Sequence, residues 1–203
     1  MKRGSLVTFE GLDGSGKSTQ CARLVAALEV AGRAVVRTRE PTDGPWGRRI
    51  REMARSGDTV APSEELRWFI EDRREHVATV IEPALAAGSL VVCDRYYHST
   101  VAYQGARGLD PWELLAAAEA EFPVPDRTLL FAVPASVGIQ RVVARGGTPE
   151  PAFEREDFLE RVGEIFDALA ERCPEVTRLD ALGSEDEVAA RLHRALESDG
   201  LLA

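Results

Sequence analysis

The sequence contains no asparagine, only two lysines and only three cysteines among its 203 residues. Cys21, Cys93 and Cys173 lack the paired spacing of zinc-binding motifs, and an odd number of cysteines does not suggest a disulfide framework. The three histidines are also isolated from one another along the chain. Zinc sites and histidine-based nucleophilic triads are therefore disfavoured, and we expect free thiols in a reducing compartment.

Positive charge is scarce as well, since 34 acidic residues against 25 basic ones give a net charge of −9. A surface of this sign repels polyanions, which argues against a protein that coats DNA or RNA. No apolar run approaches the ~18 residues of a membrane span. We expect a soluble, cytoplasmic protein with no nucleic-acid and no membrane partner. Its length is typical of one domain, covering residues 1–203.

Short apolar runs alternate with amphipathic stretches along the chain. Five runs are typical of buried strands, and helical patterns separate them. This alternation predicts an α/β fold of three layers, α/β/α, with a five-stranded parallel sheet between the helices. The predicted strands are Leu6–Phe9, Ala34–Val36, Leu90–Cys93, Thr128–Val133 and Val176–Leu179.

The same patterns place two helices. One covers Thr19–Ala31, and a second begins near Ser63 and stops at Gly88. Arg73 lies on the inward face of the second helix, together with the apolar stripe Leu66, Ile70, Val77, Ile81 and Leu85. Two segments rich in glycine and proline predict irregular structure, namely Thr38–Gly47 and Gly146–Phe153.

A glycine-rich motif follows the first predicted strand. Residues 11–18 match G-x-x-x-x-G-K-[ST], and the strand before and helix after them provide the context that this motif requires. Glycines let consecutive backbone N–H groups turn toward one anion, Lys17 can reach the phosphates, and Ser18 can ligate Mg²⁺. The motif predicts a site for ATP or GTP in a P-loop NTPase-like fold. Its residues are Gly11, Leu12, Asp13, Gly14, Ser15, Gly16, Lys17, Ser18 and Thr19.

A bound nucleoside triphosphate can be hydrolysed, or its γ-phosphoryl group can pass to a second substrate. The common GTP switches read guanine with an Asn-Lys-x-Asp motif, which a chain without asparagine does not contain. A phosphotransferase needs a second anion site, in which arginines hold the acceptor phosphate in line with the donor.

Two groups of residues are candidates for that second site. Asp94 and Arg95 follow a buried strand at its carboxyl end, where open α/β sheets bind ligands. They can hold a Mg²⁺ shell and a phosphate, or they can form a strand-end ion pair with a neighbouring loop. Phe69 and Arg73 share a helix face. They can stack on and bond a base, or Phe69 can pack in the core while Arg73 pairs with a carboxylate.

A series of specific motifs occurs in order over most of residues 5–180. They are Phe9–Thr19, Thr38–Pro41, Phe69 to Arg73 with Glu75-His76, Asp94-Arg95-Tyr96, Ser99, Ala102-Tyr103-Gln104-Gly105 and Pro125-Asp126. Together they resemble the thymidylate (dTMP) kinase family. The stretch from Asp94 to Gly105 is more specific than the phosphate-binding motif, which many unrelated NTPases share.

The resemblance implies a pocket for dTMP. In this pocket Phe69 stacks on thymine, Arg73 bonds the base edge, and Tyr103 lies under the deoxyribose and crowds out a 2′-hydroxyl. The remaining residues implied for the substrate are Ser99, Thr100 and Gln104 around the base, and Arg51 and Arg95 at the phosphate.

The resemblance also implies transfer of the γ-phosphoryl group of ATP to dTMP, with Mg²⁺, in a homodimer. Catalysis is then mostly positioning and charge neutralisation. The implied catalytic residues are Lys17, Asp13, Asp94 and Arg95, and the implied metal ligands are Ser18 and Asp94. Glu40, together with Asp13 and Asp94, is implied to organise Mg²⁺ and the acceptor phosphate.

The chain departs from the family pattern at three points. Gly14 stands where some relatives have arginine, and the lid at 146–154 has Ala152 where other relatives supply that charge. Such an arginine contributes ~10³ or more in rate, so its absence matters. Arg141, Arg145 or Arg155 can substitute, and Ala132 replaces an acid that is common in the family. Two alternatives therefore stay open, a catalytically weak nucleotide-binding paralogue and a kinase for another nucleoside or deoxynucleoside monophosphate.

Overall fold

The computed structural model describes residues 3–58, 60–146 and 156–202. Five strands form one parallel sheet, as the sequence predicts, and their order is β2-β3-β1-β4-β5. They are β1 (Leu6–Glu10), β2 (Val35–Arg39), β3 (Leu90–Asp94), β4 (Arg127–Ala132) and β5 (Val176–Asp180). Residues 147–154 of the expected lid, with Ala152, and Arg155 lie outside the described residues.

Helices connect the strands and cover both faces of the sheet. A π-helical turn at Val77–Ile81 joins two of them end to end. No helix in the described ranges is long and apolar enough to cross a membrane. The helices are α1 (Lys17–Val30), α2 (Pro45–Ser56), α3 (Pro62–His76), α4 (Glu82–Ala86), α5 (Tyr97–Ala106), α6 (Pro111–Glu121), α7 (Ala135–Ala144), α8 (Glu156–Arg172) and α9 (Glu185–Ser198).

The hydrophobic core is divided in two by the sheet, because alternate strand residues point to opposite faces. Val7 and Phe9 of β1 pack with side chains of α1 and α9, and the Phe9 ring meets Phe131 edge-on at 5.3 Å between ring centroids. Leu6 belongs to the cluster on the other face, which includes side chains of α5 and α8. The same alternation turns Glu10 toward α5, where the candidate site lies.

The prediction of irregular structure over Thr38–Gly47 is wrong at both ends of this segment. Strand β2 continues through Arg39, and α2 begins at Pro45. Because β2 is the edge strand, Arg37 and Arg39 reach solvent and interrupt the apolar pattern. Pro45 suits the first turn of a helix, where its missing N–H has no intrahelical partner to lose.

The apolar stripe expected on the second long helix is only partly correct. Leu66 and Ile70 are half-buried, whereas the buried positions of α3 are mostly polar. Arg73 does face inward, as expected. The buried residues of α3 are Glu65, Trp68, Asp72, Arg73 and His76, of which Trp68 packs in the apolar core.

The core around Phe131 provides a test of the fold. Phe131 is 1% exposed, so we expect Phe131→Ala to lower the free energy of unfolding by ~3–5 kcal/mol through lost burial and a residual cavity. Urea denaturation followed by circular dichroism measures the loss. Val30→Ala is the control, because Val30 is 91% exposed and the change should stay within ~0.5 kcal/mol. Equal effects of the two substitutions would contradict this packing.

Candidate active site

The loop between β1 and α1 has the backbone of an anion cradle. Gly11, Gly14 and Gly16 have φ angles of 133°, 77° and 95°, which side chains rarely tolerate. Helix α1 starts at Lys17 without a side-chain cap, so its first N–H groups and its positive dipole end face the loop. Ser15 Oγ is buried with no hydrogen-bond partner in the described ranges. These features fit a bound polyphosphate.

The Lys17 side chain folds back over this loop. Its Nζ donates to the Leu12 carbonyl at 2.8 Å and lies 3.8 Å from an Asp13 carboxylate oxygen. Burial, together with the nearby Arg95 guanidinium, lowers the pKa of Lys17 to about 8. A phosphate bound here would favour the charged amine and raise that pKa again.

The end of β3 supplies a carboxylate to the same loop. Strands β1 and β3 pair with Phe9 opposite Asp94, so their carboxyl ends meet. Ser18 Oγ donates to Asp94 Oδ2 at 2.5 Å. Oxygen ligands of this kind are those that Mg²⁺ prefers, so the donor set formed by Ser18 and Asp94 fits this ion.

Arg95 directly follows Asp94 and has a φ angle of 71°, in the left-handed region. A conformation of this kind costs ~1–3 kcal/mol in a residue with a side chain and is frequent at functional sites. Glu10, which is fully buried, holds the turn by accepting the Tyr96 N–H at 2.8 Å and by bonding to the Ser99 hydroxyl. Burial raises the pKa of the Glu10 carboxyl.

The Arg95 guanidinium points toward the glycine-rich loop. It donates to Asp13 at 2.5 Å and to Ser99 Oγ at 2.9 Å, and it lies 5.3 Å from the centre of the Tyr103 ring. Burial alone would raise the pKa of Asp13, but the charges of Arg95 and Lys17 outweigh it and lower this pKa to about 2. Asp13 is therefore an anion that joins the two cations.

One cavity of about 310 Å³ opens between these groups, within the usual range for small-ligand sites. Lys17 and Ser18 line it from the glycine-rich loop, and Arg95 lines it from the turn after β3. The predicted donor and acceptor groups therefore share a single cleft. Its lining residues are Asp13, Lys17, Ser18, Arg39, Glu40, Pro41, Ile50, Arg51, Ala54, Phe69, Asp94, Arg95, Ser99, Thr100 and Tyr103.

Helix α2 contributes a second arginine to the cleft. Arg51 Nη1 donates to the carbonyl oxygens of Pro41 and Thr42 at 2.8 and 2.6 Å, and Nη2 donates to Asp43 at 2.9 Å. These bonds hold the guanidinium against the turn that follows β2. Phe69, from α3, is half-buried and lines the same cavity.

Arg73 and Gln104 are not among the lining residues of the cleft. Arg73 is 2% exposed and pairs with Glu40 at 2.7 Å, which matches the carboxylate alternative left open by the sequence. It also donates to Thr100 Oγ1 at 2.8 Å. Gln104 is fully buried and donates to Glu65 at 2.8 Å. Arg73 therefore supports two lining residues, Glu40 and Thr100, from behind.

A backbone contact explains why residue 14 is glycine. A Cβ atom there would lie 2.1 Å from the carbonyl oxygen of Gly138 in α7, so an arginine does not fit. Helix α7 instead carries Arg141, whose Nη1 lies 3.5 Å from the Gly14 carbonyl oxygen. The charge of Arg145, one turn later, contributes to the low pKa of Asp13. Nothing in the structure explains Ala132.

Sequence reasoning missed several residues of the site. Arg39, Ile50 and Ala54 line the cleft, and Glu10 and His76 lie behind it. Glu10 carried a usable signal, since an acid directly after an apolar strand marks the same sheet edge as the acid after β3. Arg39 and His76 stand in the motifs Thr38–Pro41 and Glu75-His76, but no role was predicted for them. Ile50 and Ala54 carried no signal, because their place in the cleft depends on the packing of α2 against α3.

Comparison with known proteins adds independent information. A family model described as thymidylate kinase matches residues 9–192. A thymidylate kinase of Akkermansia muciniphila is 45% identical over 196 residues, which are 96% of this chain and 92% of that protein. One of Desulfotalea psychrophila is 43% identical over 185 residues, 91% of this chain and 90% of that protein. A thymidylate kinase of Xanthomonas oryzae pv. oryzae is 45% identical over 190 residues, which are 94% of this chain and 82% of that protein.

The ionisation of Lys17 can be measured directly, because the chain has only one other lysine, Lys2. We expect NMR of ¹³C-labelled lysine side chains to give a pKa of about 8 for Lys17. Added ATP should raise the Lys17 pKa, because its phosphates favour the charged amine.

The same pKa predicts a pH dependence of stability. Between pH 8 and the ordinary lysine pKa of ~10.4, the unfolded chain keeps a proton that the ligand-free folded Lys17 has lost, so the contribution of Lys17 to stability should rise with pH there. The buried cysteines act in the opposite direction because burial raises their pKa values, so the Lys17 contribution is measured as the difference in unfolding free energy between the wild type and Lys17→Met. Lys17→Met should remove this rise. A ligand-free Lys17 that titrates near pH 10.4 would contradict the geometry described for the loop.

Proposed function

The chain belongs to the thymidylate kinase family, and we propose that its cleft transfers the γ-phosphoryl group of ATP to dTMP, giving ADP and dTDP. The observation that carries the proposal is the single cavity lined by both Lys17 and Arg95. Phosphoryl transfer requires that donor and acceptor phosphates meet in line, and it needs little covalent chemistry from the protein.

The glycine-rich loop is the proposed donor side. Its backbone N–H groups and the N-terminus of α1 hold the phosphates of ATP, and Lys17 turns from Leu12 and Asp13 toward them. When bound, Mg²⁺ supplies further neutralisation of phosphate charge, with Ser18 and Asp94 as its protein ligands. Lys17 stays protonated there, since the phosphates raise its pKa.

The proposed acceptor side is the opposite half of the cleft. Arg95 and Arg51 hold the phosphate of dTMP, and Asp13 keeps the Arg95 guanidinium oriented toward the donor. Phe69 lies against thymine, and Tyr103 under the deoxyribose leaves no room for a 2′-hydroxyl. The base is further enclosed by Ser99 and Thr100, with Arg73, Glu40 and Gln104 supporting that end of the pocket.

Arg145 is the proposed source of the charge that Gly14 lacks. It directly follows α7, the helix that contacts the loop backbone, and its charge already acts on Asp13. This observation favours an active kinase over the weak nucleotide-binding paralogue. We further propose a cytoplasmic homodimer that serves dTTP synthesis, for which the support is the family resemblance. Sedimentation that finds only 22 kDa particles would contradict the proposed dimer.

The proposed function is tested by an ADP-release assay over a panel of monophosphates. We expect dTMP to exceed CMP and AMP by ~10²-fold or more in kcat/KM, because a pocket that hydrogen-bonds one base leaves its buried polar groups unpaired with another. Omission of Mg²⁺ should abolish turnover. Equal rates with all three acceptors would exclude the specificity, and calorimetric binding of ATP and dTMP without turnover would favour the weak paralogue.

The role of Arg145 is tested by Arg145→Ala. We expect kcat to fall ~10²–10³-fold, since this guanidinium neutralises the transferring phosphoryl group, with KM for dTMP within about threefold. Arg145→Lys should recover part of the rate. Arg194→Ala, at an exposed position of α9, is the matched control and should leave kcat unchanged. An unchanged kcat in Arg145→Ala would contradict the proposal.

A further inference from the structure

The wall behind the acceptor side of the cleft contains a buried chain of polar residues. Glu40, Arg73 and His76 are 6%, 2% and 3% exposed. The Arg73 guanidinium lies between the rings of Tyr96 and Phe122, at 5.3 and 5.4 Å from their centres. Polar groups this deeply buried are costly unless each is bonded, so their partners are strongly constrained.

The chain of hydrogen bonds runs from strand β2 to helix α5. His76 Nε2 lies 2.6 Å from Thr38 Oγ1, and His76 Nδ1 lies 2.9 Å from Glu40 Oε1. The other oxygen of Glu40 accepts two bonds from Arg73, at 2.7 and 2.9 Å. Arg73 then donates to Thr100 Oγ1 at 2.8 Å.

The direction of these bonds follows from the chemistry of each group. A carboxylate paired with a guanidinium only accepts, so Nδ1 of His76 donates its proton to Glu40. The other ring nitrogen, Nε2, bonds to the hydroxyl of Thr38. Both ring nitrogens of His76 are used, and the ring is fixed in one orientation.

The two ends of this chain are residues of the cleft. Glu40 and Thr100 line it, whereas His76 is not among its lining residues. Each Glu40 oxygen has its own donor, Arg73 on one and His76 on the other. Without the His76 donor, Glu40 Oε1 would be buried and unbonded, so the carboxylate would rotate and Arg73 and Thr100 would move with it.

We propose that His76 is a positioning residue for the acceptor pocket, which acts on Glu40 and Thr100 by fixing the Glu40 carboxylate against Arg73. The proposal rests on the proposed function, because it names dTMP as the molecule whose binding His76 controls. It assigns a purpose to the burial of a histidine in a helix that could have carried an apolar side chain at this position.

Two substitutions separate this role from simple support of the fold. Asn places its amide nitrogen where Nδ1 of histidine lies, so His76→Asn keeps the donor to Glu40 and loses the bond to Thr38. Gln reaches the position of Nε2, so His76→Gln keeps the bond to Thr38 and loses the donor to Glu40. Both remove the same ring, which makes each the control for the other.

The measurement is steady-state ADP release with the full-length protein, together with the thermal midpoint of each variant. We expect His76→Gln to raise KM for dTMP ~10–100-fold, the effect of a lost hydrogen bond to a charged group. Its kcat and its KM for ATP should stay within about threefold, and its preference for dTMP over dCMP should fall. His76→Asn should restore KM for dTMP to within about threefold of the wild type.

His98→Asn controls for the loss of a buried imidazole, because His98 is 1% exposed and lies outside this chain of bonds. It should lower the thermal midpoint without changing KM for dTMP. If His76→Gln does not fold, His76→Leu removes the same donor to Glu40 with an apolar side chain and should raise KM for dTMP with kcat retained.

Equal KM values for the Asn and Gln variants would overturn the proposal, as would a parallel loss of kcat and of ATP binding. An unchanged KM for dTMP in His76→Leu would overturn it where the Gln variant does not fold. A wild-type protein that does not turn over dTMP would instead overturn the proposed function. The same comparison of variants would then be made with the monophosphate that the panel identifies.

Discussion

Parallel pairing of β1 with β3 is the constraint on which the whole site depends. Phe9 lies opposite Asp94, so the glycine-rich loop and the arginine turn leave the sheet at the same edge. The Arg95 N–H donates to the Phe9 carbonyl at 2.9 Å, which extends the pairing into the turn. Two cations brought this close repel each other, and Asp13 offsets the repulsion by contacting both Lys17 and Arg95.

The acceptor side of the cleft meets a different physical demand, the burial of charge. Taking an ion out of water costs several kcal/mol, and attraction to a partner offsets that cost only when the remaining polar atoms are bonded as well. Glu40 and Arg73 satisfy this condition through His76 and Thr100. A pair of this kind adds little net stability, and its value here is one defined arrangement of the wall that faces the ligand.

The sequence predicted the parts of the protein whose signals are local. The five strands and the glycine-rich loop were found because apolar runs and glycine spacing report backbone geometry directly. Edge strand β2 was cut short, since its solvent-facing arginines resemble a loop. Contacts between distant segments left no signal, which is why the partner of Arg73 stayed open. For the same reason isolated residues such as His98, Cys173 and Glu175 gave no hint that their side-chain ligand atoms lie within 4.8 Å of one another.

The contact between Gly14 and Gly138 limits how this protein can change. A Cβ at residue 14 would lie 2.1 Å from the Gly138 carbonyl oxygen, and a Cβ at residue 138 would lie 2.5 Å from the carbonyl oxygen of Asp13, the residue before Gly14. Substitutions at the two positions therefore cannot be introduced one at a time without displacing backbone. Position 14 could accept a longer residue only after α7 had shifted away from the loop. Substitutions that move α7 would therefore have to come before a substitution of Gly14.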